Sequence, residues 1–229
     1  MLPIDDPRVH ALTQAVQTGE VGTVIALVEE HPELATERHG DSEQSRTALH
    51  IATDWPGSYP RVAATIAALV AAGAPVDGRF AGPHRETALH WAASSNDVAA
   101  IDALLDAGAD IEADGAVLTD GTPLADAVVF AQLNAARRLV ERGAAMTIWQ
   151  AAALGELDEL RRHIGSCGHN AEEITNACWH ACRGGRLAAV QLLSEHGADL
   201  DWLGYDDLTS RQAGLRSGSD ALIAWLETN

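Results

Sequence analysis

The sequence predicts an all-α solenoid of about seven stacked helix–turn–helix units, one of them truncated. Three observations predict it. "TALH" occurs at residues 47 and 87 and "TPLA" at 122, and Thr87 and Thr122 are 35 residues apart. Gly73, Gly108 and Gly143 recur at that same interval, inside "AGAP", "AGAD" and "RGAA". Apolar residues make up 47% of the 229-residue chain but aromatics only 4%. An apolar fraction of mostly Ala, Leu and Val favours helices over sheets, and a fixed period of about 35 residues is the mark of a repeat array.

The clearest unit, "ETALHWAASSNDVAAIDALLDAGADIEADG", justifies each element in turn. Thr87 is placed to cap a first helix. Leu89, Ala92 and Ala93 give that helix a small apolar face, which allows close packing. Ile101, Leu104 and Leu105 carry a second helix at i, i+3, i+4 spacing. Gly108 can adopt the left-handed conformation that ends it. One such unit cannot bury both faces, so it must stack. The whole chain, 1–229, is expected to be a single domain. Its N-terminal cap spans about 8–35 and its repeats about 45–78, 85–112, 120–146, 148–166 and 176–201. A C-terminal cap follows at about 208–227. The shortened repeat has almost no hairpin before it, and the next is expected to open at Asn176. Thr47 to Gly73 is 26 residues, whereas Thr87 to Gly108 is 21. "WPGSYP", residues 55–60, is therefore mostly an insertion between the two helices of one repeat.

These units closely resemble ankyrin repeats. In that family a Thr-x-Leu-His turn opens helix 1, a Gly-Ala-Asp turn closes helix 2, and a loop or hairpin leads onward. The resemblance covers nearly the whole chain and is strongest in the repeats opening at Thr47, Thr87 and Thr122. The chain also resembles stand-alone ankyrin-repeat proteins of GC-rich actinobacteria, some of which accompany natural-product pathways. The resemblance implies a structural, turn-holding role for His50 and His90. It also implies binding on a concave surface made by the fingers and helix 1.

Composition narrows the chemistry. The net charge is −18, which disfavours nucleic acid and anionic membranes as partners. No apolar run reaches the roughly 18 residues of a membrane span. "MLPIDDPRVH" has neither the basic nor the apolar region of a signal peptide, so a cytoplasmic location is expected. All 15 basic residues are Arg, which rules out a Schiff-base or phosphate-loop lysine. Cys167, Cys178 and Cys182 are too few and too odd in number for a disulfide framework. With His169 they lack zinc spacing, and Cys178 and Cys182 suit the core of a helix. Neither metal nor cofactor is expected.

With the His of "TALH" as a ruler, the next residue and those three and four further on are expected to share the concave side. This selects Asp54, Trp55, Trp91, Asp126, Phe130, His180 and Arg183, with His84 and Glu86 on the preceding finger. Tyr59, in the insertion, is expected to cover one end. Asp126, His180 and His84 are the candidate proton-transfer groups. Asp54, Trp55, Tyr59, Trp91, Phe130 and Arg183 are the candidate ligand contacts. An aromatic wall with convergent ionisable groups suits a small-molecule pocket. One reading is a cofactor-free acid–base enzyme performing elimination, isomerisation, addition or cyclisation in secondary metabolism. The alternative is a non-catalytic protein-interaction or regulatory module, for which a basic partner is favoured.

Overall fold

Each helix pair begins where the sequence sets a small capping side chain. In a computed structural model describing residues 1–166 and 168–229, fourteen of the fifteen α-helices among the described residues follow one another in seven sequential pairs. Backbone contacts divide the chain into two units, Met1–Ala144 and Ala145–Asn229.

The first unit holds four pairs. They are α1 (Pro7–Thr18) with α2 (Val21–Glu30), and α4 (Ala48–Thr53) with α5 (Val62–Ala71). Then come α6 (Ala88–Ser94) with α7 (Val98–Asp106), and α8 (Pro123–Val129) with α9 (Leu133–Glu141). A short α3 (Glu33–Thr36) follows the first pair. Successive first helices pack side by side, α4 on α6 and α6 on α8, as do the second helices α5, α7 and α9. Leu49, Ile66, Leu69, Leu89, Ile101, Leu104, Leu124 and Leu139 are fully buried between them, each worth about 1.5–3 kcal/mol of apolar burial. Gly73, Gly108 and Gly143 have φ of +93°, +91° and +100°, a conformation open to glycine that ends each second helix.

The fingers between pairs join edge to edge. β1 (His39–Gly40) pairs antiparallel with β2 (Ser45–Arg46). Ser45 and Ala81 then exchange both backbone hydrogen bonds at 2.9 Å, linking this finger to the next. His50 and His90 fasten the helices to the fingers. The His50 Nδ1 accepts the Thr47 N–H at 3.2 Å, and its Nε2 donates to the Glu86 carbonyl at 3.1 Å. The His90 Nδ1 likewise accepts the Thr87 N–H, and its Nε2 donates to the Gly121 carbonyl, both at 3.1 Å. Each imidazole thus closes its own helix start and grips the repeat after it. Burial holds both neutral, pushing their pKa down to about 3 for His50 and about 4 for His90.

The second unit holds three pairs. They are α10 (Ile148–Leu154) with α11 (Leu157–Gly165), α12 (Ala171–Arg183) with α13 (Leu187–Glu195), and α14 (Ser210–Leu215) with α15 (Asp220–Leu226). The spacing places the opening of α12 at Asn176, but the helix begins at Ala171. Asn170 caps it, its Oδ1 accepting the Glu173 N–H at 2.9 Å while a Glu173 carboxylate oxygen accepts the Asn170 N–H at 3.0 Å. This reciprocal cap out-competes the weaker signal at Asn176. Trp179, Cys178 and Cys182 are buried on α12. Contact with Cys178 and burial push the Cys182 thiol pKa up, which makes it inert. The zinc reading weighed above also involves Cys167, which lies outside the described residues. Among the described residues no helix is long and apolar enough to cross a membrane.

Candidate functional site

The groove of the first unit gathers most of the side chains that the repeat register selects. Asp54 and Trp55 follow α4, Trp91 and the serines 94 and 95 come from α6, and Phe130 ends α8. His84 and Glu86 reach in from the finger before α6. All of them line one groove of about 220 Å³. Directly after the histidine position the register holds for Trp91 but errs in the two repeats beside it. Ile51 and Asp126 are each 1% exposed, so they lie beneath the groove floor instead of facing it. In a helix this short, one residue of rotation separates the groove face from the core face.

The charged groups are graded in depth. Asp54 pairs with Arg46 at the edge and accepts the Trp55 N–H at 2.9 Å. Glu86 is buried. One of its carboxylate oxygens accepts the Val117 N–H at 2.8 Å, and the other lies 3.3 Å from the His84 Nδ1. His84 stacks on Phe80, with ring centroids 4.4 Å apart, and Phe80 leans on Trp91 at 5.7 Å. Trp91 meets His50 edge-on at 4.8 Å, so the wall is anchored to the repeat scaffold. Asp126 sits below. Neither of its carboxylate oxygens has a hydrogen-bond partner. Burial, followed by the Glu86 carboxylate, pushes its pKa up to about 8, so at neutral pH it is a protonated acid.

The insertion behaves differently from the expectation for it. Its backbone is seated between the helix turns of the neighbouring repeats. The Ser58 N–H donates to Asp97 at 2.7 Å, a Cβ on Gly57 would meet Ser95 at 2.7 Å, and a Cβ on Gly19 would meet the Pro60 carbonyl at 2.4 Å. It is a strut across three repeats. Tyr59 does not line the groove; its hydroxyl donates to the Trp55 carbonyl at 3.2 Å, inside the insertion. The expectation that Tyr59 covers the groove is therefore corrected, because the tyrosine is used to fold the loop on itself. Trp55 keeps its place at the rim but is 75% exposed, and Phe130 opposite is 42% exposed.

His180 and Arg183 belong to the second unit and are described there. His180 is buried among Trp149 at 4.7 Å, Trp179 at 5.1 Å and Tyr205 at 5.3 Å. Burial, then the Arg183 charge, holds its pKa down at about 4, so it is a neutral imidazole. The Arg183 guanidinium lies 6.0 Å from the Trp179 ring centre. Beside them is a larger cavity, about 690 Å³, which the repeat register does not find. Trp149, Trp202, Tyr205, Asn176, Glu172 and Glu173 are among the residues that line it. The aromatic pair in "DWLGYDDL" is the signal for it in the sequence.

The comparisons with known proteins agree with this architecture. The pattern described as ankyrin repeats, in three copies, matches residues 63–149. A crystal structure of the human ASB11 ankyrin repeat domain is similar over 94% of this chain and 96% of its own, with a TM-score of 0.57 and 18% identity. At that identity the likeness is one of fold alone. No curated protein matches the sequence.

Proposed function

Because the chain is an ankyrin-repeat protein, we propose that it is an interaction module whose first unit docks a basic segment of a partner protein. The observation that carries this is the pair of exposed aromatics, Trp55 and Phe130, on the rim of a groove that also holds Asp54 and Glu86. Exposed aromatics around a partly desolvated acidic patch are what binding hot spots use. At about 220 Å³ the groove is smaller than the roughly 300–1,000 Å³ of small-molecule sites, yet it has room for one inserted side chain. The net charge of −18 speeds encounter with a basic partner. Panning a peptide library against the protein tests the reading. Basic peptides are expected to be enriched, and Trp55→Ala and Glu86→Gln are expected to lose them without a change of fold. Enrichment of acidic peptides, or equal binding by both variants, would overturn it.

Asp126 favours a second reading. A buried carboxylic acid that is neutral at pH 7 is a proton donor in waiting. His84, against Glu86, offers a route to it from the groove. In this reading Asp126 and His84 serve cofactor-free acid–base chemistry on a small molecule in secondary metabolism, with Asp54, Trp55, Trp91 and Phe130 as contacts. Screening small electrophiles and enolisable compounds tests it. Turnover that Asp126→Asn abolishes, with an unchanged fold, is the result expected.

A further inference from the structure

We infer that the second unit carries its own binding site for a small organic cation, of the tertiary or quaternary ammonium class. The site is the cavity lined by Trp149, Trp202, Tyr205, Glu172 and Glu173. Its volume of about 690 Å³ falls within the roughly 300–1,000 Å³ typical of small-molecule sites. Four of the six tryptophans of the chain belong to this unit.

The walls are preformed. Tyr205 stands edge-on to Trp179 at 5.0 Å and to Trp202 at 6.4 Å. Its hydroxyl accepts a hydrogen bond from the Asn176 side-chain amide at 2.8 Å. The loop that carries Trp202 and Tyr205 lies close on α12, where the Trp179 indole N–H donates to the Leu208 carbonyl at 3.0 Å. Gly204 permits this approach: a Cβ there would come within 2.5 Å of Trp202 and 2.7 Å of Trp179. Half of Tyr205 nevertheless remains exposed, so its ring is held in place without being used up by the core. Ordered aromatic surface bound this way costs little further entropy on binding.

The charge selects a cation. Glu172 and Glu173 line the cavity, and among the described residues no arginine does. The chain contains no lysine. Glu173 is held in its ionised form, its pKa lowered by the Asn170 N–H and by His169. The positive end of α12 does not make the cavity an anion site, because the reciprocal bonds of Asn170 and Glu173 already occupy that turn. The two imidazoles in the lining are also engaged. The His163 Nε2 donates to the Met146 carbonyl at 2.8 Å, and the His169 Nδ1 lies 3.1 Å from Glu173. Aromatic rings with adjacent carboxylates recognise diffuse positive charge, and a methylated ammonium loses little hydration on entering.

Calorimetric titration of the full chain with tetramethylammonium and with choline tests the inference. The uncharged, isosteric 3,3-dimethylbutan-1-ol is the control for shape. Saturable binding of both cations is expected, with the alcohol weaker by about tenfold or more. Trp202→Leu is expected to weaken choline by a similar factor. Glu172→Gln, an exposed change that leaves packing alone, is expected to weaken it several-fold and to reduce its salt dependence. No saturable heat with either cation overturns the inference, as does equal binding of the alcohol. Choline binding unaffected by Glu172→Gln and by a correctly folded Trp202→Leu also overturns it. The groove of the first unit also holds aromatics and carboxylates, so the Trp202→Leu and Glu172→Gln variants, which leave that groove unchanged, are what assign the heat to the second unit.

Discussion

Asp97 holds Ser58 across two repeats. One of its carboxylate oxygens accepts the Ser58 N–H at 2.7 Å, while the other caps α7 by accepting the Ala100 N–H at 3.0 Å. The carboxylate is buried, so a single side chain starts a helix and seats the insertion of the repeat before it. Asp97→Ala removes both bonds and is expected to cost about 1–3 kcal/mol in urea denaturation. Asp97→Asn retains an acceptor and should cost less. A loss below about 0.5 kcal/mol for the alanine variant, the level of an ordinary surface change, would show that the strut is not seated by this residue.

Trp55→Ala is expected to leave stability within about 0.5 kcal/mol of the parent, since the indole is 75% exposed. Binding of basic peptides should instead fall by about tenfold, the loss of one hot-spot side chain. A variant that unfolds would mean that the indole, and not the backbone, carries the strut.

Asp126→Asn is expected to stabilise the first unit at neutral and alkaline pH. The native pKa is raised to about 8, above the usual unfolded value of about 3.9. The native state therefore holds a proton that the unfolded chain gives up. Its contribution is fully present below about pH 4 and is lost as pH rises toward 8. The variant should gain about 2 kcal/mol or more at pH 8 and remove that part of the slope. Thermal melts at several pH values measure it, and a parent and variant with parallel pH profiles would show that Asp126 ionises normally.

Gly204→Ala and Gly22→Ala form a matched pair. Gly204 has a φ of −102°, outside the left-handed region, and it lacks room for a side chain. The new methyl would collide with two tryptophans, at a cost of about 1–3 kcal/mol. Gly22 lies in α2 with nothing within 4 Å of its would-be Cβ, and alanine there should stabilise by about 0.5–1 kcal/mol. Chemical denaturation that found the two changes equal would remove the argument for close loop packing.

The repeat fold was legible because period and chemistry coincide. Thr87 with His90 and Gly108 mark a helix pair by residues whose roles are local. The groove was legible in part, since Asp54, Trp55, Trp91, Phe130 and His84 follow from the repeat register. Three things were not. The depth of Asp126 depends on one residue of helix rotation, which period alone leaves open. The fate of Tyr59 depends on the loop bonding to itself and to Asp97, 39 residues from Ser58. The cavity of the second unit arises from a loop laid on α12, and the early start of α12 shifts the register from which it would have been read.

The buried imidazoles at the helix starts set an order of events in acid. In the first unit that position is filled by His50 and His90; in the second it is filled by Gln150, Glu173 and Gln212. The native pKa values of His50 and His90, about 3 and 4, lie below the unfolded value of about 6.5. Their stabilisation is complete above that value and drains away as pH falls toward 4. Glutamine does not titrate, and Glu173, with its lowered pKa, yields only below the ordinary glutamate range. In the second unit the depressed pKa of His180, about 4, drains stability in the same range, against His50 and His90 in the first, so acid is expected to weaken the N-terminal repeats more. In the Asp126→Asn background, which removes the opposing slope, calorimetry is expected to show one melting transition near neutrality and two near pH 5. Below that point a partner docked on the first unit would be released before the second unit gives way.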